Sequence, residues 1–161
     1  MTEFVIKSIG VVHTKATPEE IRNRTPGIES ILEIFPEFEE GLIGLEEFSH
    51  IFVLGYFHQL RPEQVGPLRV KPRGLLRLGL KLEDLPPVGV FALDSPTRPN
   101  PIGLSLVPLI RRESNKLTVL GLDYFDNTPV LDLKPYQSSY HVENYKIAEW
   151  HTKLLEKAGH V

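Results

Sequence analysis

The 161 residues include no cysteine. Disulfides, thiolate zinc sites and cysteine nucleophiles are therefore excluded, and the chain suits a reducing, cytoplasmic setting. No apolar run approaches the length of a membrane span or a secretory signal, so no membrane partner is expected. The glycine fingerprints of the dinucleotide and P-loop folds are missing, as is a nucleophile elbow. Six histidines are scattered at positions 13, 50, 58, 141, 151 and 160 without a ligand-pair spacing, and no metal site is expected. An apolar share of 41% and a charged share of 24% fit an ordinary globular chain. Its length suits one core domain, expected over residues 1–140, with a helical appendage over 141–161.

The net charge of −3 is unevenly spread. Residues 1–50 carry ten acids against four bases, and the remainder eleven against fourteen. The sharpest basic stretch is 61–81, where Arg61, Arg69, Lys71, Arg73, Arg77 and Lys81 face only Glu63. Phosphate is a natural partner for such a stretch, and a solvated loop with spare charge is an equal reading.

The segment Ser95-Pro96-Thr97-Arg98-Pro99-Asn100-Pro101-Ile102-Gly103 stands out. Its three prolines remove backbone donors and push Ser95, Arg98 and Asn100 toward extended geometry. Such stiffening spares roughly 0.4 to 1 kcal/mol of ordering entropy per well-placed proline, which suits a loop that must present Arg98 and Asn100. The same two side chains could simply buttress the loop by bonding its carbonyls.

Short apolar runs, most of them with β-branched residues, predict strands at 4–13, 28–35, 49–58, 74–82, 88–93, 102–110, 117–122 and 129–133. With no helix between most of them, the pattern predicts an all-β fold, a small antiparallel barrel, in place of a doubly wound sheet. Helical periodicity is confined to 143–158, with Ile147, Trp150, Leu154 and Ala158 on one face, expected to pack on the barrel or on a second subunit. Between two strands, Asp123 and Asp126 flank a turn that includes Tyr124 and Phe125. Two carboxylates beside aromatic rings favour a sulfonium or ammonium ligand. Aspartates also cap turns through their own backbone, and that reading competes. His58 ends the strongest strand beside Gln59, where polar side chains can reach a ligand or merely terminate the strand.

Several motifs together resemble one family. They are Ile9-Gly10-Val11-Val12, the stretch from Gly44 to His50, Gly89-Val90-Phe91-Ala92 with the proline loop, and Asp126-Asn127-Thr128-Pro129-Val130-Leu131-Asp132-Leu133-Lys134-Pro135-Tyr136. The chain resembles the tRNA N6-methyladenosine methyltransferases that modify threonylcarbamoyladenosine beside the anticodon. The resemblance implies a β-barrel that binds S-adenosylmethionine and acts as a homodimer on tRNA. By position it implies cofactor contacts at Thr25, Pro26 and Gly27, at His58 and Gln59, at Leu104, and at Asp123, Tyr124, Phe125 and Asp126. The family has Thr-Arg where this chain has Leu93-Asp94, so the arginine contact falls on Asp94, with Arg98 the nearest substitute. The larger C-terminal domain of longer members is expected to be replaced by the terminal helix. A general base is expected at Asp123 or Asp126. Arg69, Lys71, Arg73 and Arg77 are expected to hold tRNA phosphates, with Tyr136 a stacking platform alongside Tyr124.

Overall fold

Alternating burial along the chain marks the strands in the computed structural model, which describes residues 2–160. In chain order the strands are β1 (Gly10–Thr14), β2 (Glu29–Ile34), β3 (His50–Tyr56), β4 (Arg69–Val70), β5 (Val88–Gly89), β6 (Ile102–Glu113), β7 (Lys116–Leu120) and β8 (Pro129–Pro135). Two α-helices accompany them, α1 (Pro18–Arg22) and α2 (Glu149–Lys157). Six strands close a barrel in the order β1-β2-β7-β6-β3-β8, every pairing antiparallel, so the all-β barrel expected from the sequence is the observed fold.

Because side chains alternate across a strand, every second residue faces the interior. Val12, Leu32, Ile34, Ile51, Val53, Val107, Leu117, Val119 and Val130 fill it, joined by Leu42, Leu122 and Tyr124 from the connections. Each such aliphatic side chain contributes roughly 1.5–3 kcal/mol on burial. This unit comprises the chain up to Gln59 together with Pro101–Gln137.

Leu60–Asn100 and the segment from Ser138 onward form a second unit. Its core is Leu75, Leu80 and Leu85 closed by Leu154 of α2, with Leu78, Trp150, Leu155 and Ala158 packed around them. From the same helix, Lys157 Nζ donates to Asp84 Oδ1 of the 3₁₀ turn Leu82–Asp84 at 2.6 Å. Helix α2 thus packs against a leucine-rich loop, where the sequence suggested the barrel or another subunit.

Other expectations need correcting. Residues 74–82 are no strand: Arg73–Leu78 is a 3₁₀ turn capped by Gly79 at φ 85°. Within the 88–93 run only Val88–Gly89 forms a strand, pairing with β4, before a further 3₁₀ turn at Val90–Ala92. The first strand starts at Gly10, and Phe4, Val5 and Ile6 lie exposed outside it. Helix α2 starts at Glu149, leaving Ile147 before it and exposed.

Candidate functional site

The antiparallel order brings the ends of β1, β3 and β7 and the starts of β2, β6 and β8 to one rim of the barrel. The rim carries the β1–β2 connection, the exit from β3 at residues 57–59, and the turn between β7 and β8. Tyr124 anchors that turn. Its side chain is 1% exposed, and its hydroxyl donates to the Val53 carbonyl at 2.7 Å. Burial pushes this hydroxyl well above the usual tyrosine range, so it stays protonated. Phe57 packs edge-on against it at 5.5 Å. Gly55 and Gly103 face each other across β3 and β6 and clear the space for the ring. A Cβ at Gly55 would lie 2.6 Å from Tyr124 Cε2, and one at Gly103 2.8 Å from the Tyr124 oxygen. Tyr124 is therefore core, and any ligand contact there would be through its backbone.

With the ring fixed, the flanking carboxylates are held in different ways. Asp126 Oδ1 accepts the Thr14 backbone N–H at 3.0 Å and Oδ2 accepts from Asn127 Nδ2 at 2.9 Å, so this carboxylate ties the turn to β1. The alternative weighed from the sequence is a cap on the turn's own backbone; Asp126 instead bonds the Thr14 N–H of β1 and the Asn127 side chain. Asn127 sits at φ 63° and donates its N–H to the Val12 carbonyl, while Thr128 Oγ1 donates to the Phe125 carbonyl. Asp123 Oδ1 accepts a short hydrogen bond from Ser105 Oγ of β6, and Oδ2 lies 3.7 Å from Arg24 NH2. Arg22 is centred 5.1 Å over the Phe125 ring.

Helix α1 aims those arginines. Thr17 caps it in a reciprocal box with Glu20, Pro18 opens it, and the chain leaves through Asn23. Thr25, Pro26 and Gly27 follow, all exposed, with Gly27 at φ 80° and open space where a Cβ would be. His58 and Gln59 are exposed at the β3 exit, and Gln59 Nε2 approaches the Asp126 carbonyl at 3.5 Å. Leu104 is 63% exposed on the outer face of β6, opposite Leu54.

The remaining expected residues belong to the second unit or to the end of β8. Asp94 is exposed and Arg98 half-buried in the second unit, where Arg98 NH1 donates to the Leu93 carbonyl at 2.9 Å and approaches that of Ser95 at 3.4 Å. Those bonds buttress the proline loop. Arg69, Lys71, Arg73 and Arg77 belong to the same unit. Lys71 Nζ donates to the Leu82 carbonyl and Arg77 NH1 to that of Gly74, while Arg69 and Arg73 are exposed. Tyr136 follows β8 in the barrel, its ring 5.9 Å from that of Phe52. Sequence reasoning did not single out Ser105, Arg22, Arg24 or the Gly55–Gly103 pair for the site.

The rim of this closed six-stranded antiparallel barrel thus holds a pinned acidic turn flanked by arginines and an aromatic ring, with charges of both signs side by side. The chain belongs to the family described as the tRNA-methyltransferase O N-terminal domain, whose sequence profile matches residues 11–142. A probable S-adenosyl-L-methionine-binding protein of Pyrococcus abyssi is 40% identical over 159 residues, covering 94% of this chain and 80% of that one. A tRNA (adenine(37)-N6)-methyltransferase of Mus musculus is 38% identical over 132 residues, 78% of this chain and 27% of that protein. A crystal structure of TrmO from Pseudomonas aeruginosa superposes with a TM-score of 0.68 at 30% identity, covering 92% of this chain and 63% of that one. The chain thus spans less than two thirds of that solved protein.

Proposed function

We propose that this chain binds S-adenosylmethionine at the rim turn and transfers its methyl group to N6 of threonylcarbamoyladenosine beside the anticodon of tRNA. The observation that carries the reading is the pinned acidic turn at residues 123–126, within the segment that matches the family profile. The donor set fits the cofactor: two carboxylates favour its cationic groups, and Phe125 offers an aromatic face. Thr25, Pro26, Gly27, His58, Gln59 and Leu104 would complete the contacts. When bound, the cofactor supplies an electrophilic methyl group.

The chain's own part is positioning and proton removal. The acceptor nitrogen is a weak nucleophile because its lone pair is delocalised, so a base must take its proton. Asp126 has both oxygens engaged by Thr14 and Asn127, which suits it to holding the turn. Asp123 keeps Oδ2 in only a loose contact with Arg24, so it is the carboxylate open to a cationic group of the cofactor, and neither aspartate of the turn is assigned as that base. The exposed arginines 69 and 73 support a phosphate-binding role for the second unit, in a cytoplasmic protein acting on tRNA. A homodimer is supported by the apolar outer face of β3 and β6, where Leu104 and Leu106, 63% and 47% exposed, lie opposite Leu54 and Phe52. Leu106→Glu should then yield a monomer in sedimentation.

The test is to incubate the purified protein with S-adenosylmethionine and tRNA carrying threonylcarbamoyladenosine, digest to nucleosides and weigh them. One added methyl on that nucleoside is expected. Cofactor binding with no methylated nucleoside would instead support the second reading, a cofactor-binding protein with another small acceptor or a sensor role. The name of the Pyrococcus relative favours that alternative.

A further inference from the structure

Arg24 occupies a place where glycine is the usual residue. The N–H of Thr25 donates to the Glu20 carbonyl and that of Arg24 to the Ile21 carbonyl, both at 3.0 Å, beyond the Asn23 cap of α1. Those are the two bonds of a Schellman ending, whose turning residue takes left-handed geometry. Here that residue is an arginine at φ 51°. A side chain with a Cβ raises the energy of that conformation, so keeping arginine there needs a gain elsewhere. Its contact is the Asp123 carboxylate, 3.7 Å from NH2, with both side chains substantially exposed at 61% and 37%. That separation is longer than a charge-assisted hydrogen bond, and exposed pairs of this kind add little stability. Fold stability alone therefore does not account for the arginine.

We propose that Arg24 and Asp123 together recognise the α-amino-acid end of the ligand, Arg24 taking its carboxylate and Asp123 its ammonium group. An amino-acid zwitterion carries these opposite charges on one carbon, matching an arginine and an aspartate held side by side. The pair is loose enough to open for it. Ser105 keeps the Asp123 carboxylate in place from β6 while Arg24 changes partner. Arg98, the substitute suggested by the sequence for the missing family arginine, has its NH1 on the Leu93 and Ser95 carbonyls, where it buttresses the proline loop. Arg24 is the specificity-determining residue instead. This inference rests on the cofactor reading above.

Calorimetric titration of the whole protein with S-adenosylhomocysteine and with 5′-methylthioadenosine, which lacks the amino-acid end, tests it. Arg24→Gly should weaken S-adenosylhomocysteine binding roughly ten-fold, the order of one charge-assisted contact, and leave methylthioadenosine binding unchanged. Its thermal midpoint should stay level or rise by roughly 2–4 °C as the left-handed strain is released. Arg24→Lys should recover part of the lost affinity and none of the thermal gain. Equal effects of Arg24→Gly on both ligands, or on neither, would overturn the assignment while leaving the cofactor reading intact. Wild-type protein that binds neither ligand would overturn both.

Discussion

Replacing Gly55 by alanine puts one methyl group against the most tightly held ring in the barrel. The added carbon would sit 2.6 and 2.9 Å from Tyr124 Cε2 and Cδ2 and 3.3 Å from Thr128 Cγ2. Carbon pairs rest near 3.5–4.0 Å, so the ring must retreat by roughly 1 Å. It has little freedom to do so, because its hydroxyl is bonded to Val53 and its far edge faces Gly103 and Phe57. Overpacking of this kind costs about 1–3 kcal/mol, and the pinned ring places Gly55→Ala toward the upper end. With a urea slope of roughly 2 kcal/mol/M, the denaturation midpoint should fall by roughly 1 M. The reasoning makes a stricter demand through Tyr124→Leu, which removes the obstructing ring. In that background the alanine should cost less than about 1 kcal/mol, leaving a coupling of about 1–2 kcal/mol in the double-mutant cycle. An unchanged midpoint for Gly55→Ala, or an equal loss in both backgrounds, would refute the close-packing account. Cofactor affinity should fall with Gly55→Ala as well, since the same ring sets the carboxylates on either side of it.

Replacing both Arg73 and Arg77 by alanine should weaken tRNA binding and reduce its salt slope by roughly one to two, with cofactor affinity unchanged; filter binding across a salt series reads both, and unchanged tRNA binding would exclude the basic segment from the interface. The bond from Lys157, with a second from the Lys81 N–H, holds the Asp84 carboxyl below its usual range. A carboxylate depressed on folding adds stability above its unfolded pKa of about 3.9 and loses it as pH falls through the lower folded value. The thermal-midpoint gap between wild type and Asp84→Asn should therefore be full at neutral pH and close below about pH 4, and a gap independent of pH would remove the charge argument. The buried Ser30 hydroxyl has no hydrogen-bond partner among the described residues, so Ser30→Ala should hold or raise stability by about 0.5–1 kcal/mol in urea denaturation. A clear loss would show that the hydroxyl is satisfied by water.

How far the sequence could be read depended on whether a pattern was local. β3 announces itself as an unbroken apolar run from Ile51 to Phe57 with β-branched and aromatic residues, and the turn after β7 because two aspartates bracket two aromatics. Residues 74–82 misled because leucine is compatible with any element. Leu75 and Leu80 share a core with Leu154, far along the chain, and no nearby residue reveals that. Val5 and Ile6 favour a strand by composition but lie exposed outside β1. Within the site, the partners of Asp123 were illegible for the same reason. Ser105 lies 18 residues away on another strand, and Arg24 reaches the carboxylate only because a helix ends in a left-handed turn. Arg98 showed the opposite case: its structural role was foreseeable from the carbonyls that the prolines leave unpaired.

The seam that closes the barrel is also what builds the rim site. β1 meets β8 through only two paired positions, Gly10 with Val130 and Val11 with Pro129, and a proline can give the ladder no donor. The bonds continue past the strand. Val12 donates to the Thr128 carbonyl, Asn127 donates back to Val12, and the next N–H along β1, that of Thr14, goes to the side chain of Asp126. A carboxylate thus supplies the acceptor that a continuing β8 backbone would otherwise provide, and the turn can leave the ladder early without stranding a donor. That early departure lets residues 123–126 cross the barrel mouth, with Tyr124 pointing in and Asp123 placed between Ser105 of β6 and the end of α1. Barrel closure and the geometry of the rim turn are therefore one arrangement, which explains why two aspartates of the same turn are held in such different ways.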